Sequence, residues 1–212
     1  MKKSIVVLLS LFGLLAYVSA DARPGDKAPQ NNAEVFERIA LAVSKVKTLS
    51  SDFFQERHTS MLQEVVQSKG HFYFETPDRL RWELTQPSRM GFALNGNKGK
   101  RWQGSTDAFQ TFELHQEPGI KAFADQVFAW VRADFDWLNK GYLITVLGQN
   151  PVTLKLVPRQ QPGTNGLDHL LVIFAPDLTC VSSIEIREKD GDFTRIRFRN
   201  TLVNTALQKD LF

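Results

Sequence analysis

Four histidines, one cysteine and a close pair of aspartates are the residues of this 212-residue chain whose types could do chemistry. Metal binding would need His58, His71, His115 and His169 to pair with one another or with Cys180 at ligand spacing. They are scattered, and no H-E-x-x-H run occurs. Acyl transfer by a serine nucleophile would need a G-x-S-x-G elbow, which is also missing. The stretch 96–100, GNKGK, lacks the G-x-x-x-x-G-K-[ST] phosphate-binding frame and is better explained as a hairpin turn. Asp134 and Asp136 stand two residues apart, a spacing that points side chains away from each other on a helix. Cys180 has no partner for an internal disulfide, and its simplest use is as a small buried hydrophobe. The expectation is a protein that is not an enzyme and needs no metal or cofactor.

What remains is apolar surface, with 16 Phe and four Trp to supply it. It is densest in residues 70–102. Phe72 and Phe74 alternate with His71, Tyr73 and Glu75. Leu80, Trp82 and Leu84 alternate with Arg79, Arg81, Glu83 and Thr85. Met90, Phe92 and Leu94 alternate with small or polar residues. Strand side chains have a period of two, so each run puts one apolar row on one face. Pro77-Asp78, Pro87-Ser88 and Asn95-Gly96 fall between the runs as turns. Consecutive antiparallel strands therefore share an aromatic inward face. From the pattern alone that face is either a filled core or the lining of a cavity.

The elements around it follow from the same rules. Asn31 and Glu34 have the spacing of a helix N-cap with a reciprocal capping contact. Phe36, Ile39, Ala40, Val43 and Val46 give the helix one apolar stripe. Strands are predicted at 49–58 and 63–75, with Gly70 a bulge or bend, then in the block just described, at 99–104 and at 108–115. Pro118 suits the first turn of a helix, whose stripe is Ile120, Phe123, Ala124, Val127, Phe128 and Val131 with Trp130 at its edge. Residues 135–138 extend that helix or form a separate turn. Strands resume at 142–147, 153–158, 170–176, 181–188 and 193–200, with Asp190-Gly191 closing the last hairpin. The expected fold is mainly β (α+β): about eleven antiparallel strands in a strongly curved sheet, with helices on its concave side.

The first residues predict a compartment. Lys2 and Lys3 precede an apolar segment, residues 5–18, and Val18-Ser19-Ala20 is a small-x-small cleavage site. Residues 1–20 read as a signal peptide cut after Ala20, residues 21–32 as a loose leader with Pro24, Gly25 and Pro29, and residues 33–212 as one domain. Removing the signal takes away two of 26 basic residues and none of 23 acidic, leaving a net charge of +1. Basic residues are not gathered in one run, and nothing points to nucleic acid.

The order Pro77, Leu80, Arg81, Trp82, Gln86, Pro87, Asn95, Gly96 and Trp102 resembles the periplasmic lipoprotein carrier family LolA. Asp52-Phe53-Phe54-Gln55 after a short helix is similar to its pattern too, and the likeness covers nearly all the mature chain. Gly191 to Phe198, G-D-x-T-x-I-x-F, with Asn204 and Phe212, resembles the branch associated with aryl-polyene or other lipid export. The resemblance implies an unclosed β-barrel with helices as a lid over an apolar cavity, working as a periplasmic monomer. It also implies an acylated lipoprotein or other lipid as cargo, an inner-membrane donor complex and an outer-membrane acceptor. The expected lipid-binding residues are Phe53, Phe72, Phe74, Leu80, Trp82, Leu84, Met90, Phe92, Leu94 and Trp102, with Phe123, Val127 and Phe128 from the lid. A lipid-sensing or presenting module of an export system is the alternative, and a periplasmic hydrolase has no constellation behind it. One position departs from the pattern. Family members carry an Arg before the proline of the P-x-x-L-x-W strand that closes the lid onto helix backbone, and here it is Thr76. The expectation is a lid held mainly by apolar contact from Phe123, Val127 and Phe128, with Arg79 and Arg81 the nearest other candidates for a latch.

Overall fold

The computed structural model describes residues 30–60, 65–104, 108–159 and 166–212. The expected signal peptide, its cleavage site and most of the leader lie outside the described residues. Helix α1 (Gln30–Val43) leads into β1 (Thr48–His58), β2 (Val65–Glu75), β3 (Arg79–Gln86), β4 (Met90–Asn95), β5 (Lys98–Gln103) and β6 (Gln110–Glu113). A 3-10 turn (Leu114–Gln116) then precedes α2 (Pro118–Val131) and α3 (Phe135–Gly141). Strands β7 (Tyr142–Gln149), β8 (Val152–Pro158), β9 (Leu167–Phe174), β10 (Val181–Glu188) and β11 (Phe193–Val203) complete the sheet.

All eleven strands form one sheet in the order β6-β5-β4-β3-β2-β1-β11-β10-β9-β8-β7. Each half is a meander, and antiparallel pairing of β1 with β11 joins the halves. Strands β6 and β7 are the two edges and do not pair, so the barrel is unclosed. The chain passes from one edge to the other through the 3-10 turn, α2 and α3, so the helices bridge the opening.

Local chemistry explains the helix ends. Pro118 takes the first position of α2, where a missing N–H costs nothing. The Asp134 carboxylate caps α3 by accepting from the Trp137 backbone N–H at 2.9 Å. Residues 135–141 are thus a separate helix, and Asp134 and Asp136 serve its N-terminal turn. Helix α1 begins at Gln30, one residue before Asn31, so Asn31 lies within the helix and not at the position that precedes it. Asn32, inside that first turn, does a different job. Its buried amide donates to the Ile144 carbonyl at 3.3 Å and accepts from the Val146 N–H at 3.4 Å. An edge strand exposes such groups, and Asn32 satisfies two of them on β7.

Two buried clusters fill the concave side. One is mostly aliphatic: Val35, Ile39 and Val43 of α1 and Leu138 of α3 pack on Ile144, Leu154, Leu156, Leu170 and Val172. The other is aromatic: Phe53, Phe72, Phe74, Trp82 and Phe92 of the sheet pack against Ile120, Phe123, Ala124 and Val127 of α2. Val46, counted with the α1 stripe from its spacing, lies past the end of that helix and belongs to the aromatic cluster. Phe198 of β11 is half-buried and packs against both clusters.

Candidate functional site

The aromatic interior is built by register. Phe72 pairs with Trp82, and Trp82 with Phe92, across adjacent strands, which stacks inward rows side by side. Gly70 pairs with Phe53, and the β2–β3 register slips beside it. A Cβ at Gly70 would run into the Phe53 ring and the Glu83 carbonyl, so only glycine lets that ring lie there. Phe53 stacks on Trp82 with centroids 4.4 Å apart. Phe123 of α2 meets Trp82 at 5.2 Å and Phe92 at 5.8 Å, both edge-to-face.

Phe53, Phe72, Phe74, Leu80, Trp82, Leu84, Met90, Phe92, Leu94, Phe123 and Val127 come together in this one cluster, with Phe128 packed at its margin. Trp102 does not join them. It pairs with Gly91 on the outer face of the sheet, where the Arg81 guanidinium lies 4.4 Å from its ring centroid. Alternation decides this: Phe92 faces in, so its neighbour Gly91 and Gly91's partner Trp102 face out. The end of the chain reaches the same outer face, where Arg81 donates to the Leu211 carbonyl at 3.0 Å and Lys100 to the Phe212 oxygen at 3.0 Å.

The interior is nearly filled. A residual cavity of about 30 Å³ lies among Phe72, Trp82, Val127, Trp130, Ile184 and Phe198, with Ser51, Cys180 and Thr201 also on its wall. That is room for a water-sized group, whereas ligand pockets run to several hundred Å³. The apolar stripe of α2 takes up most of the space inside the aromatic concavity.

Polar contacts hold α2 down at two places. Tyr142 of β7 donates to the Gln126 side-chain oxygen at 2.8 Å in the buried interior. Burial pushes that phenol up to about 12. At the C-terminal end of α2, the Arg132 guanidinium donates to the Pro77 carbonyl in the β2–β3 turn and lies 4.6 Å from the Phe128 ring centroid. The lid thus carries a polar latch in addition to its apolar contacts. The donor comes from the residue that ends α2 and the acceptor from the turn beside Thr76. Neither Arg79 nor Arg81 reaches α2: Arg79 bonds Glu75 and Asn95, and Arg81 bonds Glu83 and Leu211. Arg132, Trp130, Cys180 and Phe198 were not expected at the site from the sequence. The position of Arg132 just past the end of the α2 stripe is the one signal that could have pointed to it.

The histidines stay apart. His58 stacks on Phe193, His71 meets Asp52 at 2.8 Å, His115 contacts Asn97, and His169 meets Asp168 at 2.6 Å. Glu188, Asp190 and Asp192 lie close enough to share a cation. Arg57 already pairs with Glu188 at 3.4 Å and with Asp192 at 3.8 Å, while Asp190 and Asp192 accept backbone N–H bonds that shape the adjoining turns.

The family described as outer membrane lipoprotein carrier protein LolA matches residues 44–212. The chain belongs to the LolA family. An outer-membrane lipoprotein carrier protein of Methylococcus capsulatus is 25% identical over 177 residues, covering 82% of this chain and 80% of the relative. One from Pseudoalteromonas translucida is 22% identical over 213 residues, covering 100% of this chain and 92% of its own length. Among solved structures, the MucA/MucB complex of Pseudomonas aeruginosa superposes with a TM-score of 0.50 at 15% identity, covering 85% of this chain and 59% of that one. The structural likeness is one of fold. This LolA-family chain has the unclosed barrel and the helical bridge, with Arg132, just past the C-terminal end of α2, serving as donor to the turn.

Proposed function

We propose that the protein is a periplasmic carrier that shields the acyl chains of a lipoprotein or related lipid between inner and outer membranes. The observation that carries this reading is α2 itself. Its apolar stripe fills the aromatic concavity, and its backbone makes no pairing with the sheet. Acyl chains would replace Ile120, Phe123, Ala124 and Val127 against Phe72, Trp82 and Phe92, as the helix lifts about its two ends. The magnitudes suit an exchange. About fifteen buried methylenes gain roughly 12 kcal/mol, while exposing a few large apolar side chains costs about 1.5–3 kcal/mol each. The second offsets roughly half of the first, which moderates the net gain, and a carrier must both take up and release its cargo. Aromatic and aliphatic walls have no directional demands, so chains of different length fit the same face.

An inner-membrane donor complex and an outer-membrane acceptor belong to this reading as partners, with the chain a monomer released from its signal peptide after Ala20. The experiment is to purify the protein from periplasm, extract it and identify bound lipid by mass spectrometry, then titrate the delipidated protein with a fluorescent acyl probe. A co-purified acyl species and saturable binding near one probe per chain are expected. Absence of probe binding would leave the aromatic rows as an ordinary packed core and remove the carrier reading.

A further inference from the structure

Pairing between β10 and β11 ends at Ser183 and Arg197, although β11 continues along β1 to Val203. Past that last pair β10 stays with β9, where Val181 faces Phe174. The sheet therefore splits at its rim, and a cleft of about 500 Å³ opens between the start of β10 and the end of β11. Phe198, the first β11 residue beyond the last pair, lines both this cleft and the inner cavity, as do Cys180 and Thr201. These three side chains are the partition between an apolar interior and an open, mixed-polarity basin.

The polar groups of the cleft are mostly committed. The Asp177 carboxylate accepts from the Thr179 hydroxyl at 2.9 Å and from its N–H at 3.2 Å. Ser182 donates to the Ile173 carbonyl at 3.0 Å, the Asn200 amide to Asp52 at 2.8 Å, and Thr201 shares a hydrogen bond of 2.8 Å with Ser51. Arg199 is exposed in the cleft and makes no ion pair among the described residues. Its guanidinium keeps its planar fork of donors for a ligand, and that fork matches a carboxylate or phosphate. A second group waits on the inner side. Trp130 lines the cavity, and its buried indole N–H has no acceptor among the described residues. A buried donor left unpaired is costly, and a carbonyl entering the cavity would satisfy it.

We infer that the β10–β11 cleft holds an anionic head group, a carboxylate or phosphate, of a ligand whose acyl chain passes Phe198 into the aromatic interior. This rests on the carrier reading and adds to it a head-group site at Arg199 and a place of entry distinct from the β6–β7 opening that the helices bridge. Apolar contact alone would bind any chain of the right length. A cation at the rim makes the protein choose by head group and fixes the chain's direction, head outward.

The test uses the full mature chain and two probes: a dansyl-labelled long-chain fatty acid, and the same chain reduced to its alcohol. Wild type is expected to bind the acid about five- to tenfold more tightly than the alcohol at neutral pH, the range of one partly exposed charge-assisted contact. Arg199→Gln should abolish that preference and leave the alcohol's affinity unchanged. Bound acid should also slow labelling of Cys180 by a thiol reagent, since Cys180 is on the partition. Competition by unlabelled fatty acid or by lysophosphatidate then tells which of the two anionic heads fits better. Equal binding of acid and alcohol by wild type, or unchanged Cys180 labelling, overturns the head-group site while leaving the carrier reading standing. Failure of both probes to bind overturns the two together.

Discussion

The two halves of the concave face are closed in different ways. In the aliphatic half, α1 and α3 press Val35, Ile39, Val43 and Leu138 onto β7–β10, and the Asn32 amide fastens α1 to the backbone of β7. In the aromatic half, α2 lies on large flat rings and is tied by Gln126 at its middle and Arg132 at its end. Branched aliphatic side chains interlock in few ways, and a close-packed interior of that kind tolerates little change. Rings that meet edge-to-face keep contact over a range of offsets, and the same faces accept a methylene chain. On the proposed carrier reading, stability resides in one half and exchange in the other.

The sharpest way to break that division is to cut both halves and compare. Leu170→Ala, at a fully buried position, should cost about 2–5 kcal/mol in urea unfolding and leave acyl-probe affinity of the folded protein unchanged. Phe123→Ala should also destabilise, by roughly 3–5 kcal/mol at most, yet bind the probe more tightly, because that ring competes for the space of the chain. A fall in affinity for Phe123→Ala would mean the ring is part of the bound state and the assignment is wrong.

Smaller effects refine the picture. Arg132→Ala removes the tie between α2 and the Pro77 carbonyl and should cost about 1–2 kcal/mol. Hydrogen exchange should quicken in α2 alone, with α1 and the central strands unaltered; uniform quickening would make Arg132 a general structural residue. The smallest difference lies on the outer face, where the halves match. Glu83 is held between Arg81 and Arg89, and Glu185 between Arg187 and Arg195. Burial would raise both carboxyls, but the arginine hydrogen bonds and charges outweigh it and hold each below its ordinary value. A lowered carboxyl contributes stability that is present above its unfolded value and is lost as pH falls through the folded one. Stability should therefore decline as pH drops through and below the ordinary carboxylate range. Glu83→Gln and Glu185→Gln should each flatten that decline by a similar amount in denaturant titrations at stepped pH. A flattening confined to one variant would break the match between the two outer faces.

Much of the site was legible because strand periodicity is strict. Phe72, Phe74, Leu80, Trp82, Leu84, Met90, Phe92 and Leu94 follow alternation, and all face inward in one cluster. Trp102 failed by the same rule, since its phase is set by its partner Gly91 and is invisible in the short run KGKRW. Phe198 sits in a strand whose arginines are the louder signal, and it matters only because β10 leaves β11 just before it. Arg132 lies 55 residues from the carbonyl it meets, and no local pattern encodes such a contact.

By itself the sequence determined the local order: eleven strands, their turns, the helix stripes and the apolar rows, all products of side-chain period and of proline and glycine chemistry. Tertiary structure decided the rest. Pairing of β1 with β11 brings the first and last strands together at the centre of the sheet and leaves β6 and β7 as unjoined edges. That pairing makes α2 and α3 bridge the opening, decides which Trp faces in, and splits the rim at Ser183 and Arg197. The physical reason is that register and strand order are set by backbone hydrogen bonds between residues far apart in the chain. Side-chain pattern fixes which face a residue shows, but not which strand lies beside it.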